Sequence, residues 1–147
     1  IKNNPLGSLV SSIGNDIDAI HIPFYLDTTD LRNVKLQGHI AKVNPLSKKC
    51  KDGNKVLVIF HGPNAYISPN FYPSKKETGK VVPTWNYSVV HVKGKISFNS
   101  ESNWITKHLE KLTNFNESVA QSNPWSISDA TKEYTDKLVN AVVGLEI

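Results

Sequence analysis

The sequence predicts a fold of the α+β class that is mainly β: a small antiparallel barrel with appended helices. Short segments in which apolar and polar residues alternate occupy the first two thirds of the chain, as in half-buried strands. The apolar spacing then changes to a helical period in two later segments. The length of 147 residues and the hydrophobic content of 39% describe an ordinary globular chain, so a single domain is expected over residues 1–147.

The first predicted strand covers residues 6–12, and a turn follows at residues 14–15, where Gly and Asn stand together. The second predicted strand, residues 20–26, alternates cleanly. Its aliphatic residues share one face, whereas His21 and Pro23 lie on the opposite face. Because proline cannot donate a ladder hydrogen bond, this strand is expected at a sheet edge or a bulge.

Residues 34–40 repeat the alternation, and His39 again lies opposite the aliphatic face. Asn44 followed by proline predicts the start of a short helix, which is expected to end near Gly53. The start of this helix comes just after His39 and Ala41. It is a predicted anion site because unpaired N–H groups and the helix dipole point there.

Residues 56–60 form a short continuous apolar run, which predicts a strand buried on both faces. Residues 60–87 then hold four of the eight Pro and three of the five Tyr residues. Because proline interrupts strand pairing, we expect no continuous ladder through this segment. Its rings, hydroxyls and ammonium groups suit a planar anionic ligand; the alternative is a rigid loop whose rings plug the mouth of the barrel.

Residues 85–98 predict two strands joined by a turn at Gly94. A helix over about residues 101–114 follows, because apolar residues recur there at helical spacing. His108 lies on the apolar stripe of this helix and is most simply a core histidine.

A second helix is predicted over residues 134–142. Asp129 is its expected cap and Gly144 its expected terminator. The last residues, 145–147, are expected to enter a final strand.

The sequence lacks the motifs that are typical of several kinds of active or binding site. There is no Rossmann or P-loop glycine motif, no nucleophile elbow, and no metal-binding spacing among the five His residues. A histidine-only metal or haem site remains open at this stage. The single Cys50 cannot form an internal disulfide, which favours a reducing cytoplasm. The chain starts at Ile1 and has no Met, so we expect it to be part of a longer protein.

Six segments resemble the PaiB-type FMN-binding negative transcriptional regulators, in unbroken order over nearly the whole chain. They are HIPF (21–24), GHIAKVNP (38–45), FHGPNAYISPNFYPSK (60–75), GKVVPTWNY (79–87), NPW (123–125) and AVVGLEI (141–147). The resemblance implies an antiparallel FMN-binding split barrel, normally a homodimer with FMN at the subunit interface. Phe71 departs from the family, which usually has Trp there. The family's first segment and its C-terminal G-K-x-K-x-S-Q-N motif are absent from this sequence.

FMN needs hydrogen-bond donors or cations for its phosphate and an apolar slot with donors for its ring. On the family resemblance, we assign Lys80, Ser68 and His39 to the phosphate side. The ring and ribityl chain are assigned to Thr84, Trp85, Asn86, His21, Ile22 and Pro23. Asn44 is favoured as a helix cap, and Ala41 and Tyr72 complete the candidate residues. Thr84 and Asn86 should face together and Trp85 the other way, so that Trp85 is expected to act across the dimer.

The resemblance implies regulation, since family members are described as repressors of sporulation and degradative-enzyme genes in Gram-positive bacteria. A net charge of +4 permits contact with DNA, but no DNA-reading helix stands out. A flavin-dependent oxidoreductase is the second hypothesis, because the flavin itself carries the redox chemistry. A haem-binding barrel that uses one of the histidines is the third. No membrane partner is expected, because no apolar run is long enough to span a bilayer.

Overall fold

The fold contains two four-stranded antiparallel sheets. The computed structural model describes residues 1–120 and 122–147. In chain order the strands are β1 (Leu6–Ile13), β2 (Asp16–Pro23), β3 (Tyr25–Asp27), β4 (Lys35–Ala41), β5 (Lys55–Ile67), β6 (Thr84–Lys95), β7 (Ser97–Asn99) and β8 (Val142–Glu146). The helices are α1 (Leu46–Lys49), α2 (Ser74–Thr78), α3 (Ser102–Ala120) and α4 (Lys132–Ala141), with 3₁₀ turns at Pro69–Phe71 and Ile127–Asp129. The first sheet has the order β2-β1-β5-β6, and the second has the order β3-β4-β8-β7.

Two bent segments pass from one sheet into the other and close the barrel. Phe24 is the bend between β2 and β3, and Ile96 is the bend between β6 and β7. Both side chains point into the core, where they are 1% and 0% exposed. Counting each bent segment once, the eight strands occupy six positions around the barrel. The predicted class, a mainly antiparallel β fold with appended helices, is therefore confirmed.

The core fills the space between the sheets. Phe24 and Phe60 pack edge to face, with ring centroids 5.8 Å apart, and Leu9, Val58 and Leu145 are fully buried around them. Burying an aliphatic or aromatic side chain of this size contributes about 2 kcal/mol. Because only alternate residues of β1 and β5 point inward, the opposite surface of the first sheet faces away from this core.

The bend at Phe24 corrects the prediction of one strand over residues 20–26. The alternation itself is confirmed, since Ile22 and Phe24 are buried while His21 and Pro23 are exposed. The ladder nevertheless changes sheets at Phe24, whose N–H donates to the Pro5 carbonyl at 2.9 Å. A periodic pattern reports which face is buried, but it does not report the sheet to which a strand belongs.

The helix predicted after Asn44 is shorter than expected. It ends at Lys49 rather than near Gly53, because Cys50 adopts an extended conformation and is itself buried. The predicted cap is confirmed in its chemistry: Asn44 Oδ1 accepts a hydrogen bond from the Leu46 N–H at 3.0 Å.

The expectation that no continuous ladder runs through residues 60–87 is confirmed, because pairing lapses at Gly62 and Pro63 and residues 68–83 form no strand. The sequence did not predict that β5 resumes beyond Pro63 and pairs with β6 as far as Ile67. The register shifts between His61 and Asn64, which is the signature of a β-bulge. The bulge accommodates the proline, because a residue inserted at a bulge need not donate to the neighbouring strand.

The two glycines that were predicted to break the chain both lie inside strands. Gly94 pairs with Val56 in β6, and Gly144 pairs with His39 in β8. A side chain at Gly94 would come within 2.6 Å of Ile147, so close packing, rather than a turn, requires glycine there.

The two long helices exist, but their ends differ from the predictions. α3 continues to Ala120, beyond the predicted end at residue 114. α4 begins after Thr131 and ends at Ala141. Asp129 does not cap α4; it forms a capping box with Ser126 in the preceding 3₁₀ turn.

Candidate functional site

Beyond the barrel, β5 and β6 continue as a two-stranded ribbon, the aromatic hairpin (residues 61–67 and 84–91). Its register places Tyr66 opposite Trp85, Asn64 opposite Tyr87 and His61 opposite Val89. Tyr66 and Trp85 meet edge to face, with ring centroids 5.9 Å apart. Both rings remain largely exposed, Tyr66 by 51% and Trp85 by 60%.

Alternation along β6 places Trp85, Tyr87 and Val89 on one face of the hairpin. The same face continues into the outer face of the first sheet, which we define as the surface turned away from the core residues Leu9 and Val58. Leu57 and Ile59 of β5 lie on this outer face and are only half-buried. The prediction that residues 56–60 are buried on both faces is therefore wrong for the single chain, in which only the inward face is fully buried.

A groove of about 610 Å³ opens at the same end of the outer face. It is lined by side chains from β1, β2, β5 and the N-terminal segment: Asn3, Asn4, Pro5, Leu6, Ser8, His21, Pro23 and His61. Two of the predicted site residues, His21 and Pro23, thus share a groove with the base of the aromatic hairpin. Ile22 does not, because it points the other way into the core and is 8% exposed.

The opposite face of the hairpin is polar and carries Thr84 and Asn86. Because their neighbours across the ladder are Ile67 and Ala65, this face presents a hydroxyl and an amide beside apolar side chains. The expectation that Thr84 and Asn86 face together, away from Trp85, agrees with this register. A cleft of about 310 Å³ beside them is lined by Pro63, Asn64, Ala65, Asn86, Tyr87 and Ser88.

The connection between β5 and β6 carries the candidate phosphate ligands Ser68 and Lys80. Ser68 Oγ accepts a hydrogen bond from the Asn70 N–H at 3.2 Å, which leaves the hydroxyl proton available for a ligand. Lys80 is exposed, and its N–H donates to Thr78 Oγ1 at 3.2 Å. Tyr72 ends the 3₁₀ turn between them and is 41% exposed.

The third group of predicted residues lies on the second sheet. His39 Nδ1 is 3.1 Å from His108 Nε2, so the two rings share a hydrogen bond between β4 and α3. His108 also stacks on Trp104, with ring centroids 5.3 Å apart, and is 2% exposed. Its prediction as a core histidine is confirmed. Ala41 pairs with Val142 at the end of β4.

Burial lowers the pKa of both histidines. The pKa of His108 falls to about 4, first because burial disfavours the charged form and then because of positive charge on His39 and Lys111. Burial alone lowers the pKa of His39 below its ordinary value. Both rings are therefore neutral near pH 7, and one of them donates the shared proton to the other.

The structure thus gathers the site residues into separate groups instead of one cavity. His21 and Pro23 lie near the base of the hairpin, Ser68, Lys80, Thr84, Trp85 and Asn86 lie on the hairpin and its connection, and His39, Ala41 and Asn44 follow β4. Tyr66 and Tyr87 belong to the segment whose rings the sequence predicted to suit a planar ligand, although they were not among the assigned site residues. Sequence reasoning missed His61, which the register places opposite Val89 on the same face as Trp85 and Tyr87.

The chemistry of these groups fits a planar, phosphorylated ligand. Exposed rings offer an apolar surface, the amide of Asn86 and the hydroxyl of Thr84 offer ring contacts, and Ser68 with Lys80 offers donors for a phosphate. Among the described residues, no three His, Cys, Asp or Glu side chains come together as metal ligands. In the same part of the chain, no helix is both long and apolar enough to cross a membrane.

Known proteins of similar sequence come from fungi and from a bacterium. A protein of Emericella nidulans is 38% identical over 181 residues, which cover all of this chain and 72% of that protein. A protein of Aspergillus fumigatus is 32% identical over 191 residues, with 100% and 73% covered. The "Protease synthase and sporulation protein PAI 2" of Bacillus subtilis is 35% identical over 97 residues, which cover 66% of this chain and 44% of that protein.

Solved structures share the fold. The FAD and haem binding protein from Mycobacterium smegmatis matches with a TM-score of 0.66 at 14% identity, over 99% of this chain and 61% of that chain. The flavocytochrome Anf3 from Azotobacter vinelandii matches with a TM-score of 0.64 at 10% identity, over 98% and 57%. This chain therefore spans about three fifths of the length of those proteins.

The sequence also matches a family model described as "Putative FMN-binding domain" over residues 1–147, the full length given. The cofactor predicted from the sequence, FMN, is the one for which this family is named. The predicted relationship to the PaiB-type proteins agrees with the Bacillus subtilis relative. The chain is thus a flavin-binding split barrel and belongs to the FMN_bind_2 family of FMN-binding domains.

Proposed function

We propose that the protein is an FMN-binding regulator that acts as a homodimer, with each flavin held between the aromatic hairpin of one copy and the β2 and β4 ends of the other. One observation carries this proposal: Tyr66, Trp85 and Tyr87 stand on a projecting ribbon and are at least half exposed. Flat rings that project from a barrel are costly in water and favourable against a planar ligand. In a dimer, the second copy would bring its own site residues to the flavin, so that groups that lie apart in one chain would meet at the interface.

The outer face supports the same arrangement. Leu6 is 61% exposed and Val89 is 37% exposed, next to the groove that holds His21 and Pro23. An apolar edge of this kind is stabilised when a second surface covers it. Burial in the dimer would then cover Ile59, the outward-facing and half-buried residue of the apolar run 56–60 that lies nearer the hairpin.

Each group of side chains would have a distinct role toward the flavin. Trp85 and Tyr66 of one copy would bind the ring face, while Asn86 and Thr84, which lie on the opposite face of the hairpin, would orient the ring and ribityl chain from the other copy by hydrogen bonds. Ser68 and Lys80 would bind the phosphate. Asn44 already caps α1 through its side chain, so it would position the β4 end rather than contact the ligand. Bound FMN would supply a redox-active ring, and the oxidation state of that ring would alter how the protein contacts its partner.

Replacement of Trp85 by Ala is expected to weaken FMN binding about tenfold, because ring stacking of this kind contributes about 1–3 kcal/mol. Quenching of flavin fluorescence during titration measures the change. Trp125→Ala is the matched control, since Trp125 is similarly exposed but lies between α3 and α4 in the chain and is not part of the hairpin. Val89→Asp should shift the protein toward monomer in sedimentation equilibrium and weaken FMN binding with it. Wild-type affinity in both hairpin variants would contradict the proposed site.

The regulatory role draws its support from the Bacillus subtilis relative, whose name refers to protease synthesis and sporulation, and from the net charge of +4. We expect the FMN-loaded and FMN-free proteins to differ in affinity for DNA. Gel shifts between about 50 and 200 mM salt measure this, and a complex held by phosphate contacts should weaken steeply with salt. Equal affinity in both flavin states, or no DNA binding in either, would exclude direct flavin-dependent regulation.

A flavin-dependent oxidoreductase is the second candidate, favoured by the exposure of the hairpin rings, which leaves a ligand there open to a second reactant. Bleaching of bound FMN by NAD(P)H, with reoxidation by an added acceptor, would support this function over regulation. In either role the protein would work in the reducing cytoplasm, in keeping with the free and buried thiol of Cys50.

A further inference from the structure

A second cavity, of about 540 Å³, lies at the other end of the outer face. It is separated from Trp85 by the length of β6, roughly 30 Å at 3.3 Å per residue. The cavity is lined by residues of β1, β5 and β6: Val10, Ser12, Lys55, Val56, Leu57, Lys93, Gly94 and Lys95. We call this cavity the lysine pocket. Its floor is aliphatic, and its rim carries three ammonium groups and one hydroxyl.

The positions of the three lysines are electrostatically unfavourable within a single chain. Lys55 lies directly opposite Lys95 in the β5–β6 register, and Lys93 is two residues from Lys95 on the same face. Like charges that face each other across a ladder repel and destabilise the pair. None of the three forms an ion pair with a carboxylate of residues 1–120 or 122–147. The repulsion is therefore uncompensated within the described chain.

We propose that the lysine pocket binds a small organic anion, a carboxylate or phosphate monoester that carries an apolar body. The ammonium groups of Lys55, Lys93 and Lys95 bind the anionic group, and Ser12 offers a further donor. Val10 and Leu57 contact the apolar body. The volume is within the range of pockets that bind small molecules, and aliphatic lining with few polar groups is typical of them.

The charge of the pocket distinguishes this ligand from the alternatives. A second copy of the chain that met this end of the sheet symmetrically would bring three more ammonium groups against the first three. A neutral apolar ligand would leave the repulsion between Lys55 and Lys95 in place. An anion with an apolar body would pair its charge with the ammonium groups of the rim and pack its apolar part against the aliphatic floor. It would leave the aromatic hairpin free for the flavin.

The test uses the protein saturated with FMN and follows backbone amide signals of Val10, Leu57 and Gly94 by NMR. Octanoate and phenyl phosphate are the anionic probes, and octanol and phenol are their neutral counterparts. At least one anion is expected to shift these signals in a saturable way, while its neutral counterpart does not. The comparison of the two anions shows whether the pocket prefers a carboxylate or a phosphate.

The variant Lys93→Gln/Lys95→Gln should weaken binding of that anion tenfold or more, because each lost charged hydrogen bond reduces affinity by about tenfold. Lys107→Gln/Lys137→Gln, at exposed lysines on α3 and α4, should leave it unchanged. FMN affinity should stay the same in both variants, so a failure here is distinguishable from a failure of the flavin site.

Thermal unfolding gives an independent readout. Without an anion and at low salt, Lys95→Gln should raise the unfolding temperature because it removes the repulsion with Lys55, and salt should reduce the difference. The proposal is overturned if the neutral probes bind as well as the anions, or if neither anion shifts the pocket signals.

Discussion

Lowering the pH from about 7 to about 4 is expected to reduce the free energy of unfolding by about 3 kcal/mol through His108 alone. The pKa of this residue falls from 6.5 to about 4 in the folded protein. Below pH 6.5 the unfolded chain therefore binds a proton that the folded chain does not bind. Unfolding takes up this proton, so stability is fully present above pH 6.5 and is lost as the pH falls through 4.

The surroundings of His108 explain why it stays neutral. It is buried between Trp104 and His39, and the positive charge of Lys111 further disfavours its protonation. Glu146 acts in the opposite direction, but its carboxylate is already engaged by Lys35 at 2.9 Å and by Gln37 at 2.8 Å. Protonation of both histidines would place two N–H groups against each other at the 3.1 Å contact.

Urea unfolding at a series of pH values measures the effect. His108→Gln removes the titrating group while retaining an amide that can bond to His39, so its free energy of unfolding should vary less between about pH 6.5 and pH 4. His21→Gln, an exposed histidine on β2, is the control and should keep the wild-type slope. An unchanged slope in His108→Gln would show that His108 is not the source of the acid sensitivity.

Replacement of Gly144 by Ala is expected to cost about 3 kcal/mol and to lower the unfolding temperature by about 10 °C. A methyl group on Gly144 would lie 2.1 Å from Cζ3 of Trp104 and 2.7 Å from Cε3. The indole cannot retreat easily, because it is also stacked on His108, with ring centroids 5.3 Å apart. Either the ring leaves its rotamer or α3 moves away from β8, and both lose packing.

A matched substitution and a double variant test this explanation. Gly38→Ala in the neighbouring strand meets only the flexible end of Ile22 at 3.2 Å and the Phe24 ring at 3.3 Å, so a smaller loss is expected. Gly144→Ala/Trp104→Leu should be more stable than the sum of its single changes predicts, since the second change removes the clash created by the first. Simple additivity in calorimetry would contradict the proposed contact.

The sequence predicted local features well where a single segment decided them. The inward and outward residues of β1, β2 and β4, the Asn44 cap and the core position of His108 all follow from spacing or from one side chain. Predictions failed where a partner strand decided the outcome. Gly94 was predicted to form a turn and Gly144 to end a helix, but each pairs within a strand. Ile147 and Trp104 occupy the space that a side chain at these two positions would take.

The candidate site divides in the same way. The hairpin residues Ser68, Thr84, Trp85 and Asn86 belong to one distinctive run of sequence, so their common location was predictable. The contact between His39 and His108 was not, because 69 residues separate them along the chain. The role assigned to His39 toward the phosphate and the place of Ala41 among the candidate residues remain predictions, as do the roles of the hairpin residues.

By itself, the sequence determined the mainly β class, the alternating buried faces and the FMN-binding family, because these depend on residue spacing and on motifs that are contiguous in the chain. Only the tertiary structure decided where Phe24 and Ile96 turn the strands between sheets, how Pro63 is accommodated at a bulge, and which surface remains uncovered. These features depend on the register between strands that are distant in sequence, and register is set by the packing of the whole core rather than by any one segment.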